Sequence, residues 1–372
     1  MSVSLTNHEI LLNTVEEAIA DIRAGKVVIV VDDEDRENEG DFICAAQCVT
    51  PEIINFMATH GRGLICAPLD ERRVEELGLP MMVQDNTALH ETAFTVSIDL
   101  IGHGCTTGIS AHDRASCVRA LVDPKVKSED FARPGHIFPL KAKTGGVLRR
   151  TGHTEAAIDL ARLAGFYPAG VLVEILNEDG TMARLPQLIE IAARHDLKVI
   201  SIKDLVSYRM RHERIVNEVY STHLDTQFGQ LEVKVFNQIT TGDTHLAVIR
   251  GNIKNHEPVL VRVHSSMGTG DLLANLLDDN SQVMQKAMDR IVEEGTGVIL
   301  FMRHGDGESI INQLKNWTGQ TVPHGAPQRD FGIGAQILRE LNICKIKLLS
   351  RHPRKRIGLE GYGLEIVEVV QL

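Results

Sequence analysis

The stretch KVVIVVDDEDRENEGDFICAA, residues 26–46, joins an apolar run, an acidic run and a second apolar run. Residues 27–31 are all β-branched, which predicts a buried strand rather than a half-exposed, alternating one. Seven carboxylates then fall within the ten residues 32–41. Such a strand delivers its acids to one end of a sheet, a usual place for a site in an α/β fold. The stretch therefore predicts an α/β protein with an acidic site at a strand end.

The acidic run has a simpler alternative, since most runs of charge are solvated loops. Arg36 and Gly40 inside the run, and the return to apolar chain at residues 42–46, weaken that alternative. Folding so many like charges between two buried segments is costly unless a cation neutralises them. An EF-hand does not fit, because Asn38 and Cys44 stand where it needs its glycine and bidentate glutamate. We therefore expect a divalent metal with a catalytic role.

The composition describes a folded, acidic chain of 372 residues, 43% hydrophobic and 24% charged, with ample core for two domains. A net charge of −11 argues against broad binding to nucleic acid or acidic membranes, but leaves local sites for a phosphorylated small molecule open. No apolar segment approaches membrane-spanning length, and the first residues lack a secretory layout, so a cytoplasmic protein is expected. Among six cysteines without a CxxC pair, Cys66 ends a short strand-like run and is singled out.

Helix and strand patterns alternate from residue 15 to about 205, which predicts a sheet covered by helices in three layers. Thr14 and Ser110 are expected to cap helices, the second in a capping box with Asp113, and Thr154 to open a helix that Gly165 ends. A polar helix around residues 209–214 is expected to connect to a second α/β domain. Strands are predicted there at residues 231–236, 245–250, 259–263 and 298–302, with a helix at 281–294.

Three further segments have residue types that suit a sugar-phosphate enzyme. Residues 149–155 place two arginines, a glycine and hydroxyl groups before a helix N-terminus, which favours phosphate, and His153 there could complete a metal shell. A capped helix with a surface histidine is an equally good interpretation. Residues 133–140 fix His136 in a loop, and residues 106–114 resemble a second hydroxyl-rich cap; both also have ordinary structural interpretations. Glu174 stands on a predicted buried strand, where an ionised acid is rare unless paired.

Residues 32–41, 106–111 (TTGISA), 133–136 (RPGH) and 152–155 (GHTE) together resemble 3,4-dihydroxy-2-butanone 4-phosphate synthase, over residues 1–208. The resemblance implies a lyase of riboflavin biosynthesis that converts D-ribulose 5-phosphate into 3,4-dihydroxy-2-butanone 4-phosphate and formate. It implies that Glu37 and His153 hold Mg²⁺, with Mn²⁺ as a second option, and that His136 and Glu174 are needed for turnover. It also implies a homodimer with sites near the subunit interface, so that His136 could serve the partner's site. The implied substrate-binding residues are Arg36, Glu37, Asp41, Thr107, Arg150, Thr151, Gly152, His153, Thr154 and Glu174.

Residues 209–372 resemble GTP cyclohydrolase II through PVLVRVHS at 258–265, TGD at 269–271, GAQIL at 334–338 and LLS at 348–350. That family's zinc needs three cysteines, but the matching positions are Met267, Asp278 and Asn280, and its Gly-Arg-Gly is GDG at 305–307. We therefore expect a degenerate domain without zinc and without GTP cyclohydrolase II activity. Three alternatives stay open: a bifunctional enzyme with other metal ligands, a regulatory nucleotide-binding module, and retention for structure alone.

Overall fold

The computed structural model describes residues 12–34, 36–88, 92–239, 241–254, 257–266, 280–303, 328–350 and 364–372, with only the backbone described at 265–266, 280–282 and 328–332. The chain divides into two compact units, Met1–Tyr208 and Arg209–Leu372. Among the described residues, each unit has one seven-stranded sheet. This two-sheet α/β architecture confirms the predicted fold class. No described helix combines the length and apolar character needed to cross a bilayer.

The first unit is built on a mixed sheet with strand order β4-β5-β3-β6-β2-β1-β7. The neighbours β1/β7 and β3/β5 are parallel, and the other pairs are antiparallel. The strands are β1 (Val28–Val31), β2 (Gly40–Ala45), β3 (Cys66–Leu69), β4 (Ile98–Leu100), β5 (Phe131–Lys141), β6 (Gly170–Glu174) and β7 (Val199–Ser201).

Helices cover both faces of this sheet. Alternate residues of β1 enter different cores: Ile29 lies in one apolar cluster and Val30 in the other. The cluster around Ile29 includes α2, α4 and α6, and the cluster around Val30 includes α1, α5 and α7. The three-layer prediction is confirmed. The helices are α1 (Val15–Arg23), α2 (Pro51–Phe56), α3 (Glu71–Glu76), α4 (Ala111–Leu121), α5 (His153–Leu163), α6 (Leu185–His195) and α7 (Ile202–His212).

Most helix boundaries follow the predicted signals, with two corrections. The Thr14 hydroxyl accepts a hydrogen bond from the Glu17 amide at 3.2 Å and caps α1. Ser110 caps α4, but the carboxylate of Asp113 turns to the preceding loop, so the predicted capping box is wrong. Helix α5 begins at His153 after an N-cap glycine, one residue before the predicted start. A start at His153 puts the imidazole in the first turn of the helix.

The second unit has a sheet with strand order β14-β13-β11-β12-β10-β9-β8. Its predicted strands and its first helix are confirmed within two or three residues. The long strand β8 was not predicted, because most of its residues are exposed and carry no apolar pattern. The elements are β8 (Val216–Thr226), β9 (Gly229–Gln238), β10 (Thr244–Arg250), β11 (Val259–Ser266), α8 (Asn280–Glu294), β12 (Gly297–Arg303), α9 (Gln328–Glu340), β13 (Lys345–Ser350) and β14 (Glu365–Gln371).

A buried arginine ties α3 to the chain that leaves α4. Arg73 is 8% exposed and donates to the backbone carbonyls of Leu121 and Asp123, each at 2.8 Å, and to that of Val126 at 3.1 Å. The Asp123 carbonyl also accepts the Val126 amide at 3.1 Å, so the carbonyls of Leu121 and Val126 are the two that rely on the guanidinium.

We predict that Arg73→Ala lowers the free energy of unfolding of this unit by about 3 kcal/mol, because it removes the donor to the carbonyls of Leu121 and Val126. Arg72→Ala is the matched control, since Arg72 is 83% exposed and pairs only with Glu76; it should cost less than about 1 kcal/mol. Urea unfolding followed by circular dichroism measures both changes. Equal losses in the two variants would contradict the importance of the buried contacts.

Candidate active site

Three strand ends meet at one edge of the first sheet. The loop between β1 and β2, residues 32–39, leaves at Val31 and returns opposite it at Gly40. On the next strand, Asp41 pairs directly with Glu174 at the end of β6. The hairpin geometry therefore brings the acidic run of the sequence beside the predicted buried acid. We call the segment Asp32–Asp41 the acidic loop; Asp35 in it lies outside the described residues.

The acidic loop is folded around the carboxylate of Asp32, whose side chain is 1% exposed. One Asp32 oxygen accepts the amide of Glu39 at 2.8 Å, and the other accepts the amide of Glu37 at 3.1 Å. The second oxygen also accepts from the Arg36 guanidinium at 2.8 Å, and Arg36 reaches Glu37 at 2.7 Å. Charge-assisted hydrogen bonds of this kind are strong and directional. Asp32 thus fixes the backbone on both sides of Asn38.

His153 faces this loop from the first turn of α5. Its Nδ1 lies 3.7 Å from Glu37 Oε2 and 3.9 Å from Asp41 Oδ1. Its Nε2 lies 3.2 Å from the Val30 carbonyl, an acceptor only, so Nε2 carries the proton of that hydrogen bond. Nδ1 is then the nitrogen whose lone pair can bind a metal.

The electrostatics of this cluster follow from burial and from close opposite charges. Burial works against ionised Glu37, but His153 and Arg36 outweigh it and lower the pKa of Glu37 to about 2. Burial also opposes charge on His153, but Asp41, Glu37 and Asp32 outweigh it and raise the pKa of the imidazole to about 9. Burial raises the pKa of Asp41 to about 7, with the nearby carboxylates of Glu174 and Glu37 adding to the rise. Of the three groups, Glu37 is therefore the most acidic, and His153 is the one that holds its proton most firmly.

The donor set fits a divalent cation. Ligand atoms of Asp32, Glu37 and His153 all lie within 4.8 Å of one another. Asp41 Oδ1 is buried and has no hydrogen-bond partner among the described residues, as expected for an oxygen that faces a cation or its water. Carboxylate oxygens with one imidazole suit Mg²⁺ or Mn²⁺. The Asp32 oxygens already accept hydrogen bonds from Arg36 and from two backbone amides. Glu37 and His153 are therefore better candidate metal ligands than Asp32.

The neighbouring wall of the pocket suits an anion. Helix α5 points its N-terminus into the pocket at His153 and the buried Thr154. Arg150 is held beside it by the buried Glu155 at 2.8 Å. A Cβ at Gly152 would lie 2.3 Å from the Arg150 guanidinium, so only glycine lets the arginine approach the helix end. A helix N-terminus beside a guanidinium offers the positive electrostatic environment that suits a phosphate.

Glu174 enters the pocket from the other side and is held by a backbone amide. The amide of Leu64 donates to Glu174 Oε2 at 2.8 Å. A Cβ at Gly63 would lie 2.5 Å from the same oxygen, so this loop approaches Glu174 as closely as glycine allows. Cys66 lines the pocket on β3, and burial raises the pKa of its thiol, which keeps it neutral at physiological pH.

The structure brings most of the predicted site residues into this pocket, but not all of them. Thr107 and His136 are exposed and do not line it, and Thr151 and Gly152 lie beside it in the turn before α5. His136 is paired with Asp99 through Nδ1 at 2.7 Å and through its own amide at 2.9 Å. The predicted residues that line the pocket are Arg36, Glu37, Asp41, Arg150, His153, Thr154 and Glu174.

Sequence reasoning did not assign several residues that shape the site. Glu39 lines the pocket, and its pKa is raised by burial and by neighbouring Glu37. Glu155 and Asp32 act through other residues, and nothing in a run of acids indicates which member becomes buried. Phe94 and Thr92 also line the pocket, and their stretch carried no signal at all. Met267, Asp278 and residues 305–307 lie outside the described residues, and Asn280 is described only as the start of α8.

Comparison with known proteins identifies both halves of the chain. A family model for 3,4-dihydroxy-2-butanone 4-phosphate synthase matches residues 16–208. The chain belongs to the 3,4-dihydroxy-2-butanone 4-phosphate synthase family. A model for GTP cyclohydrolase II matches residues 217–371. The riboflavin biosynthesis protein RibBA of Cytophaga hutchinsonii is 57% identical over 376 residues, covering 98% of this chain and 93% of the relative.

Solved structures give the same answer for the synthase domain. RibBX from A. baumannii, described as a two-domain 3,4-dihydroxy-2-butanone 4-phosphate synthase, is 41% identical with a TM-score of 0.76, covering 97% of this chain and 99% of that one. A 3,4-dihydroxy-2-butanone 4-phosphate synthase in complex with two magnesium ions is 42% identical with a TM-score of 0.52, covering 54% of this chain and 98% of that one.

The comparisons correct one expectation about the second unit. The expectation that GTP cyclohydrolase II activity is absent is contradicted by the GTP cyclohydrolase II model across residues 217–371 and by a RibBA relative that spans both units. The expectations of a degenerate domain and of no zinc find no support in them either. The substitutions at Met267, Asp278 and Asn280 are a fact of the sequence, but they do not decide the activity by themselves.

The raised pKa of His153, about 9, predicts that cation binding at this site competes with a proton. Below pH 9 the imidazole of the metal-free protein is charged, and Nδ1 must lose its proton to become a ligand. Affinity for Mn²⁺ should therefore rise by up to about tenfold per pH unit between about pH 6.5 and 8.5. Calorimetry in two buffers of different ionisation enthalpy measures the affinity and the proton released. An affinity that does not change with pH would contradict His153 as a ligand.

Proposed function

We propose that the first unit converts D-ribulose 5-phosphate into L-3,4-dihydroxy-2-butanone 4-phosphate and formate, with Glu37 and His153 holding Mg²⁺ or Mn²⁺. The observation that carries this proposal is the juxtaposition of two arrangements in one pocket. A cation-binding cluster of the acidic loop and His153 adjoins a phosphate-binding helix end with Arg150. A sugar phosphate needs both, one for its carbonyl and hydroxyl oxygens and the other for its phosphate.

Residues in different parts of the pocket have different proposed roles. Arg150, Thr154 and the α5 N-terminus bind the phosphate and orient the sugar chain toward the acidic loop. Glu37 and His153 would hold the divalent ion, which would supply Lewis-acid polarisation of the sugar's oxygens and so make the hydrogen beside the carbonyl more acidic. Asp41, whose pKa is about 7, accepts and returns protons at neutral pH. Glu174, fixed by the Leu64 amide and paired across the strands with Asp41, is a second proton-transfer group, and Arg36 contacts the substrate from the loop.

We assign His136 and Thr107 to substrate contacts in the site of a second copy of the chain. Asp99 holds the His136 ring through Nδ1, which leaves Nε2 on the exposed side of the ring and able to enter another subunit's pocket. The same proposal makes the protein a homodimer. A cytoplasmic location stays a prediction.

Purified protein should release formate from ribulose 5-phosphate with Mg²⁺ and lose that activity with a chelator. Glu37→Gln should reduce the rate at least about 100-fold, because it removes a charged ligand while scarcely changing volume. The matched control is Glu34→Gln, an exposed acid of the same loop, which should keep wild-type activity. Full activity of Glu37→Gln would refute the metal assignment, and absence of formate from the wild-type protein would refute the reaction.

We propose GTP cyclohydrolase II as a second activity, in residues 217–371, because the family model and the RibBA relative favour it. Since positions 267, 278 and 280 carry no cysteine, the metal there would need ligands other than three thiolates. A regulatory nucleotide-binding module is the competing role for this unit.

Incubation of the full chain with GTP and Zn²⁺ tests that second activity. Formate released from GTP, abolished by a chelator and retained in Glu37→Gln, would support it, because Glu37 lies in the other unit. GTP that raises the melting temperature without being turned over would instead support the regulatory module.

A further inference from the structure

Arg184 contacts the acidic loop from the start of α6. Its backbone amide donates to Gln187 Oε1 at 3.1 Å, which fixes the residue at the helix N-terminus. Its guanidinium donates to the backbone carbonyl of Glu37 at 2.9 Å and also to that of Asn38. The Arg184 side chain therefore binds the backbone of the loop, and Arg184 is not among the residues that line the pocket.

The contacts of Arg184 complement those of Asp32. Asp32 accepts the amides of Glu37 and Glu39 from inside the loop, whereas Arg184 donates to the carbonyls of Glu37 and Asn38 from outside. Between them lies Asn38 in the left-handed conformation, with φ 55°, a region that asparagine adopts more readily than most other non-glycine residues. Together the two charged groups satisfy both sides of the peptide backbone at the candidate metal ligand.

Helix α6 also fixes the far end of the loop. A Cβ at Gly40 would lie 2.4 Å from the Leu188 side chain, one turn into the helix from Arg184. Leu188 is buried in the core beneath, so the helix cannot move away without disturbing the core. The start of α6 is thus held rigidly by the core, and the contacts of Arg184 fix the loop relative to this helix.

We propose that Arg184 is a positioning residue that holds the Glu37 backbone in the conformation that binds the divalent cation, and so sets the metal affinity of the site. The inference rests on the proposed metal site of the first unit. A guanidinium can donate to two carbonyls at once in a fixed geometry, whereas the ammonium of a lysine is a single flexible donor group. Without the clamp, the peptide after Glu37 keeps the hydrogen bond from its Asn38 amide to the Asp33 carbonyl but loses the donor to its own carbonyl. The Glu37 carboxylate is then held less firmly in alignment with His153.

Three variants of the full chain test the proposal: Arg184→Met, Arg184→Lys and the control Arg194→Met. Arg194 lies in the last turn of the same helix and is exposed. Mn²⁺ affinity is measured by calorimetry without substrate, and amide exchange of residues 37–41 is measured by mass spectrometry. We expect Arg184→Met to weaken Mn²⁺ binding by about 10–100-fold, in the range of outer-shell substitutions, with faster exchange confined to the loop. The Mn²⁺ affinity of Arg184→Lys should lie between those of Arg184→Met and the wild type, and the affinity of Arg194→Met should match the wild type.

Formate release at low and at saturating Mg²⁺ separates positioning from general damage. A positioning defect is largely rescued by saturating Mg²⁺, whereas a folding defect is not. Wild-type Mn²⁺ affinity in folded Arg184→Met, or faster exchange across the whole first unit, would overturn the proposal. If Arg184→Met does not fold, the Mn²⁺ affinity of Arg184→Lys tests the proposal instead. A wild-type affinity in Arg184→Lys would then overturn the proposal. Wild-type protein that binds Mn²⁺ but releases no formate refutes the proposed reaction alone, because the affinity measurements use no substrate.

Discussion

The site depends on one buried carboxylate. Asp32 directly follows a buried apolar strand and is itself buried. An unpaired charge at that position would have a high desolvation free energy. The chain offsets that cost by wrapping the following residues around it, so that two amides and one guanidinium donate to its oxygens. The wrapping fixes the backbone that carries Glu37 and Glu39. The acidic loop is thus organised around its first member.

This arrangement leaves a set of charges that suits proton transfer beside a cation. Within one pocket, Glu37 stays ionised, Asp41 titrates near neutrality and His153 holds its proton in the metal-free protein. Burial alone would push all three toward their neutral forms; their mutual proximity separates them instead. The N-terminal end of α5 and Arg150 lie in the same pocket, so under the proposed function the groups that bind phosphate differ from those that transfer protons.

Much of the fold and of the candidate site could be predicted from the sequence. The predictions that failed did so for physical reasons. The β-branched run and the acidic loop indicated the strand end, and residues 149–155 indicated the helix terminus, because both signals are local. The contacts of Leu64 and Arg184 were not predictable, since a backbone amide and a helix-start arginine become important only through their distant partners. Sequence spacing likewise could not show that His136 would turn to Asp99 rather than into the pocket. In the second unit, missing cysteines argued for lost activity, whereas overall similarity argues against it.

The most direct test of the central claim is anomalous diffraction from crystals grown with Mn²⁺. The account predicts a peak bonded to Glu37 and to His153 Nδ1, with the Asp32 carboxylate still accepting the amides of Glu37 and Glu39. A peak without His153, or one that draws Asp32 away from those amides to bind the ion, would contradict it.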